Sequence, residues 1–155
     1  TKIILWNLNS TQSKYQHCQI LINNLQPNVI CLQETKLQPL TQCFTLKHYD
    51  IYCLDKDTQA NEHAKGGVAV AVNQQLRSEE IHMNNFDLQI IAVRIYFPQS
   101  ITICSVYLHQ HDNITYQLLQ DIVKQLPAPY IITGDFHSHN IIWGSQYTDS
   151  QARVI

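Results

Sequence analysis

The sequence predicts a mixed α/β fold: sheets with helices packed on their outer faces. Three observations carry this expectation. Short apolar runs bounded by turn residues recur along the chain. Two longer segments, 11–25 and 113–126, repeat their apolar residues at helical spacing. Four apolar runs, 51–54, 67–73, 88–97 and 101–108, follow one another with no helical segment between them. The last point argues against a purely alternating β–α–β sheet. A length of 155 residues fits one domain, expected to occupy 1–155.

The elements follow in order. Residues 2–6 form a short buried strand. Ser10 is placed to cap a helix over 11–25, with Tyr15, Cys18, Leu21, Ile22 and Leu25 on one face. Pro27-Asn28 makes a turn into a second strand at 29–33, and this strand–helix–strand opening predicts two parallel neighbours. Of the four middle strands, the last two are joined through Pro98-Gln99-Ser100, a hairpin. The second helix, 113–126, sets Leu118, Leu119, Ile122, Val123 and Leu126 on its face and stops at Pro127 and Pro129. Another buried strand, 130–133, runs straight into Gly134-Asp135. Glu79-Glu80 and Asp55-Lys56-Asp57 read as solvated turns.

Composition narrows the function. Apolar residues at 45% against charged residues at 14% indicate a packed core rather than a disordered chain. A net charge of -2 argues against a protein that coats DNA, but leaves room for an enzyme that grips a few phosphates. No apolar run approaches the ~18 residues of a membrane span, so no membrane partner is expected. The five cysteines form no C-x-x-C pair and read as reduced core thiols of an intracellular protein rather than a zinc site. The chain starts at Thr1 and ends at Ile155 within a helix-like stretch, which suggests a piece of a longer protein. His109-Gln110-His111 lacks the further ligands a zinc centre needs, and no glycine-rich phosphate loop or G-x-S-x-G elbow is present.

The informative feature is where the apolar strands stop. One runs into Asn7, one into Gln33-Glu34-Thr35-Lys36, one into Tyr107 and one into Gly134-Asp135-Phe136-His137. In α/β proteins such junctions lie at the sheet rim, where sites gather. Glu34 and Asp135 are suited to share a hard divalent cation, since Mg2+ favours carboxylate and water oxygens and leaves positions for phosphate oxygens. Asn7 both donates and accepts, and Gly134 is expected to allow a sharp turn before Asp135.

Trp6-Asn7-Leu8-Asn9, Gln33-Glu34-Thr35-Lys36, Lys65-Gly66-Gly67-Val68-Ala69-Val70, Val106-Tyr107 and Gly134-Asp135-Phe136-His137-Ser138-His139-Asn140 occur in the order of the endonuclease/exonuclease/phosphatase superfamily. Within it the sequence most resembles the apurinic/apyrimidinic-type endonuclease domain of insect-like non-LTR retrotransposons, above all through Ser138-His139-Asn140-Ile141-Ile142-Trp143-Gly144-Ser145. The resemblance implies a four-layer α/β (α+β) sandwich of the deoxyribonuclease-like type. It implies a Mg2+-dependent nick in one DNA strand, with Mn2+ as an alternative ion. The 3′ hydroxyl so released would prime a reverse transcriptase of the same polyprotein, in the nucleus.

The resemblance also implies roles. Glu34 is the metal ligand, with Asn7 beside it as a second ligand or phosphate contact. Tyr107 donates to the scissile phosphate, and Asp135 orients or deprotonates the attacking water. Lys36, Asn9 and Asn140 contact the substrate. Two departures stand out. His137 occupies the place of a family Asn, where an imidazole N–H still donates but differs in shape and charge. The closing Asp and Ser-Asp-His motifs have no counterpart after Asn140, so the domain is expected to lack closing strands of its second sheet. Two other readings stay open: a catalytically silent remnant, and the same fold acting on another phosphoester such as RNA.

Overall fold

The computed structural model describes residues 2–37, 44–54, 66–84, 88–108, 114–139, 141–149 and 151–153. Asn140, Lys65, His109-Gln110-His111 and Asp55-Lys56-Asp57 lie outside these residues.

Among the described residues eight strands and two α-helices follow in the order β1 (Ile3–Asn7), α1 (Thr11–Leu25), β2 (Val29–Gln33), β3 (Tyr49–Leu54), β4 (Val68–Asn73), β5 (Arg77–Ile81), β6 (Gln89–Phe97), β7 (Gln99–Tyr107), α2 (Tyr116–Gln125) and β8 (Tyr130–Asp135). They build two mixed four-stranded sheets, ordered β1-β2-β4-β3 and β5-β6-β7-β8. The first sheet opens with the parallel pair β1–β2, and the second closes with the parallel pair β7–β8.

Alternation along each strand explains the layering. Val29 and Cys31 of β2 and Val68, Val70 and Val72 of β4 meet Ile91, Val93, Ile95 and Ile103 of the second sheet. Their neighbours Ile30, Leu32, Ala69 and Ala71 point the other way, against Cys18 and Ile22 of α1. On the second sheet Ile90, Ala92, Cys104 and Val106 face Ile122 of α2 and Leu126 just beyond it. The result is four layers, helix–sheet–sheet–helix. Strands buried on both faces read as continuous apolar runs, which is why β2, β4, β6 and β7 were visible in the sequence.

Several local expectations change. Glu79-Glu80 is not a turn but the middle of β5, an edge strand paired with β6 through Glu79↔Arg94 and Glu80↔Val93. An edge strand with exposed residues carries a polar sequence, so its apolar signal is weak. Ser10 occupies the α1 N-cap position without a side-chain cap hydrogen bond; its backbone N–H instead donates to Glu34 O at 2.9 Å. Of the apolar face of α1 only Cys18 and Ile22 are buried, while Tyr15 and Leu25 are exposed. Leu5 of β1 and Tyr130 and Ile131 of β8, read as parts of buried strands, are exposed too, because both strands lie at sheet edges. α2 starts at Tyr116, where the Thr115 side chain accepts from Leu118 N–H. Cys18, Cys31 and Cys104 are free and buried, as read from the sequence, but Cys53 is disulfide-bonded.

Gly134 is needed for a reason other than a turn. It lies inside β8, opposite Val106 of β7, and a Cβ built on it would sit 1.9 Å from the Val106 carbonyl oxygen. Only a residue without a side chain lets the two backbones approach this closely. At the other end of β8, the Arg94 guanidinium fastens the start of the strand. It donates to Thr102 Oγ1 at 2.8 Å and to the carbonyls of Pro127, Ala128 and Pro129 at 2.7, 3.0 and 3.2 Å.

Candidate active site

The register of the parallel pairs brings four strand ends together. Asn7 is opposite Gln33 at the end of β1–β2, and Tyr107 is opposite Asp135 at the end of β7–β8. Beyond the strands the ladders continue through loops. Leu8 N–H donates to Gln33 O and Thr11 N–H to Thr35 O, both at 2.9 Å, while Lys36 N–H donates to Gly66 O at 2.8 Å. These bonds clamp the Glu34-Thr35-Lys36 segment between the β1–α1 loop and the start of β4. They hold Glu34 and Lys36 in the left-handed region, at φ 51° and 50°, a conformation costly for side-chain-bearing residues.

Asn7 joins the two sheets. Its Nδ2 donates to Glu34 Oε1 and to Asp135 Oδ2, each at 2.9 Å, so both amide hydrogens are used on carboxylates. Its Oδ1 accepts from Asn9 N–H at 3.1 Å. Lys36 Nζ lies 3.3 Å from Glu34 Oε2 and also donates to Asn9 Oδ1. Burial alone would raise the Glu34 carboxyl. Hydrogen bonds from Asn7 and Lys36, the Lys36 charge and a hydrogen bond from Tyr107 outweigh it and hold the group below the usual carboxylate range.

His137 completes the cluster. Its backbone, at φ 44°, donates to Asp135 Oδ1 at 3.2 Å, an Asx turn that folds the ring back over the carboxylate. Its Nε2 lies 3.7 Å from Asp135 Oδ2, and its ring meets Tyr107 edge-on at 5.7 Å. The left-handed backbone is one that Asn and His both enter more readily than most residues, so the substitution read from the sequence fits the local geometry. Glu34, Asp135 and His137 each bring one ligand atom within 4.8 Å of the others, a set able to hold a metal ion.

Seven of the eight residues singled out in the sequence thus form one connected group: Asn7, Asn9, Glu34, Lys36, Tyr107, Asp135 and His137. Asn140 lies outside the described residues. Sequence reasoning missed the buried supports. Gln89 Oε1 accepts from Gly67 N–H, and Gln33 Nε2 donates to Ser105 Oγ at 3.0 Å across the sheets. A buried glutamine at the end of an apolar strand was the available signal. It also missed that His139 pairs with Asp149, Nδ1 to Oδ2 at 3.2 Å, and stacks on Tyr147 at 4.8 Å. Aspartate and histidine ten residues apart carry no recognisable spacing.

Two facing mixed sheets, with carboxylates, an amide, a phenol and an imidazole at one rim, define the class of a hydrolytic α/β enzyme. The chain belongs to the Endonuclease/Exonuclease/phosphatase family, whose model matches residues 4–150. It is similar to the solved endonuclease domain of TRAS1, a telomere-specific non-LTR retrotransposon, at 20% identity and a TM-score of 0.67, covering 98% of this chain and 66% of that one. It is also similar to an AP endonuclease from Archaeoglobus fulgidus, at 16% identity and a TM-score of 0.60, covering 99% of this chain and 67% of that one. A probable RNA-directed DNA polymerase from transposon BS of Drosophila melanogaster is 21% identical over 99% of this chain. The chain spans only 17% of that relative's length. Among the described residues no helix is long and apolar enough to cross a membrane.

Proposed function

We propose that the chain is the endonuclease domain of a non-LTR retrotransposon polyprotein, hydrolysing one DNA phosphodiester with the aid of a divalent cation. The observation that carries this reading is the Asn7 amide, which ties Glu34 of one sheet to Asp135 of the other at 2.9 Å each. Two carboxylates held this close repel each other, and a cation between them relieves that repulsion. The donor set of Glu34, Asp135 and His137 fits such an ion.

A bound divalent cation supplies a Lewis acid that offsets charge on the phosphate oxygens. The protein groups do the rest. Asn7 and Lys36 keep Glu34 ionised and aimed into the site. Asp135 orients a water and accepts its proton as the water oxygen bonds to phosphorus and the bond to the 3′ oxygen breaks, the departing 3′ oxygen taking a proton from solvent. The Tyr107 hydroxyl donates to a phosphate oxygen, strengthening as negative charge builds, while His137 stays with the cation. Lys36 and Asn9 take the flanking backbone, with Asn140 as a further contact. The free 3′ hydroxyl would then prime the polyprotein's reverse transcriptase in the nucleus.

The test is nicking of supercoiled plasmid by the chain with Mg2+, with EDTA and with Glu34→Ala. The expected result is nicking that needs both the ion and Glu34. Equal nicking by Glu34→Ala would overturn the metal assignment. Cleavage of an RNA substrate in place of plasmid would reassign the substrate.

A further inference from the structure

We infer that His137 makes the Glu34–Asp135 site a mixed nitrogen–oxygen site, which takes divalent first-row transition ions in preference to Mg2+. The inference rests on the proposal that these carboxylates hold a divalent cation, and it names which ion.

The imidazole is built into the cluster rather than lying near it. A His137 ring nitrogen lies within 4.8 Å of an oxygen from each carboxylate. Three contacts fix its placement: the left-handed backbone at φ 44°, the 3.2 Å bond from His137 N–H to Asp135 Oδ1 and the edge contact with Tyr107. Asn7, the residue read from the sequence as a second ligand, is committed elsewhere. Both its amide hydrogens go to the carboxylates, and its oxygen accepts from Asn9. The nitrogen that joins the two carboxylates within ligand distance is the imidazole's.

Ligand chemistry then decides the ion. Mg2+ favours oxygen ligands and gives up its waters reluctantly. Imidazole nitrogen is a borderline ligand that raises affinity along the first transition row. A site of two carboxylate oxygens and one imidazole nitrogen discriminates against Mg2+. One with an asparagine at residue 137 would offer only oxygen and would lose that discrimination.

Mn2+ is the probe, because it accepts both ligand types and carries unpaired electrons. Calorimetric titration with MnCl2 and MgCl2 is to be run on the parent chain, His137→Asn and Glu34→Gln. Electron spin-echo spectroscopy of the Mn2+ complex reads whether a nitrogen is bonded to the ion. Mn2+ is expected to bind the parent about tenfold or more tightly than Mg2+. His137→Asn is expected to weaken Mn2+ by about tenfold, leave Mg2+ within about twofold and abolish the nitrogen coupling. A parent complex without nitrogen coupling overturns the inference, and this readout needs no variant to fold. So does His137→Asn with unchanged Mn2+ affinity, when Glu34→Gln still weakens both ions. If Glu34→Gln changes neither ion, the carboxylate-site reading itself fails.

Discussion

Replacing Gly134 by alanine tests how the two halves of the site are held in register. The added Cβ would meet the Val106 carbonyl oxygen at 1.9 Å and the Val106 carbonyl carbon at 2.8 Å. Ordinary van der Waals contact begins at 3.4 Å, so the oxygen falls about 1.5 Å short. The obstacle is backbone on both sides, so no side-chain rotation relieves it. Strand β8 must move away from β7 and give up ladder hydrogen bonds near Asp135. Overpacking usually costs about 1–3 kcal/mol, and here the loss of strand pairing adds to it, giving about 3 kcal/mol or more. A shift of about 1 Å at Asp135 is also enough to cost ~100-fold in turnover. Gly144→Ala is the control. Its Cβ meets nothing within 4 Å, and only its φ of 89° opposes a side chain, an effect of about 1 kcal/mol. The assay pairs urea unfolding with plasmid nicking. If Gly134→Ala unfolds at the same urea concentration as the parent, the close-approach argument is wrong.

Two further predictions concern groups whose titration the structure shifts. Asn7→Ala removes both bonds between the carboxylates and should lower stability by about 2 kcal/mol at neutral pH, read by urea midpoint. Glu34 is held below its ordinary range, so its contribution is present above the unfolded-state value and lost as pH falls through the lower folded value. In Asn7→Ala that loss should be smaller and should be complete at a higher pH; midpoints with unchanged pH dependence between about pH 7 and pH 3 would contradict the assigned cause. Cys31 and Cys104 have their thiols pushed up to about 12 by burial, so neither is expected to react with iodoacetamide until the protein unfolds. Mass spectrometry after brief alkylation of native protein checks this, and labelling at either residue would show that the core opens.

How far the site was legible depended on the kind of signal each residue carries. Asn7, Glu34, Tyr107 and Asp135 were found because each follows an apolar run that stops abruptly. The register confirms the placement, with Asn7 opposite Gln33 and Tyr107 opposite Asp135. Strand β5 was lost because an exposed edge strand such as Arg77–Ile81 carries no apolar run. Gly134 was found for the wrong reason. A glycine before an aspartate suggests a turn, whereas the cause is a neighbouring strand far away in the sequence.

The sequence by itself determined the two helices, the doubly buried strands and the order in which the polar strand ends occur, because these follow from local periodicity. Tertiary structure alone decided that the ends of β1, β2, β7 and β8 meet. It also decided that one asparagine amide spans both carboxylates, that His137 folds back onto Asp135 and that His139 finds Asp149. Each of these depends on sheet-to-sheet packing or on a left-handed backbone, and neither leaves a period in the chain.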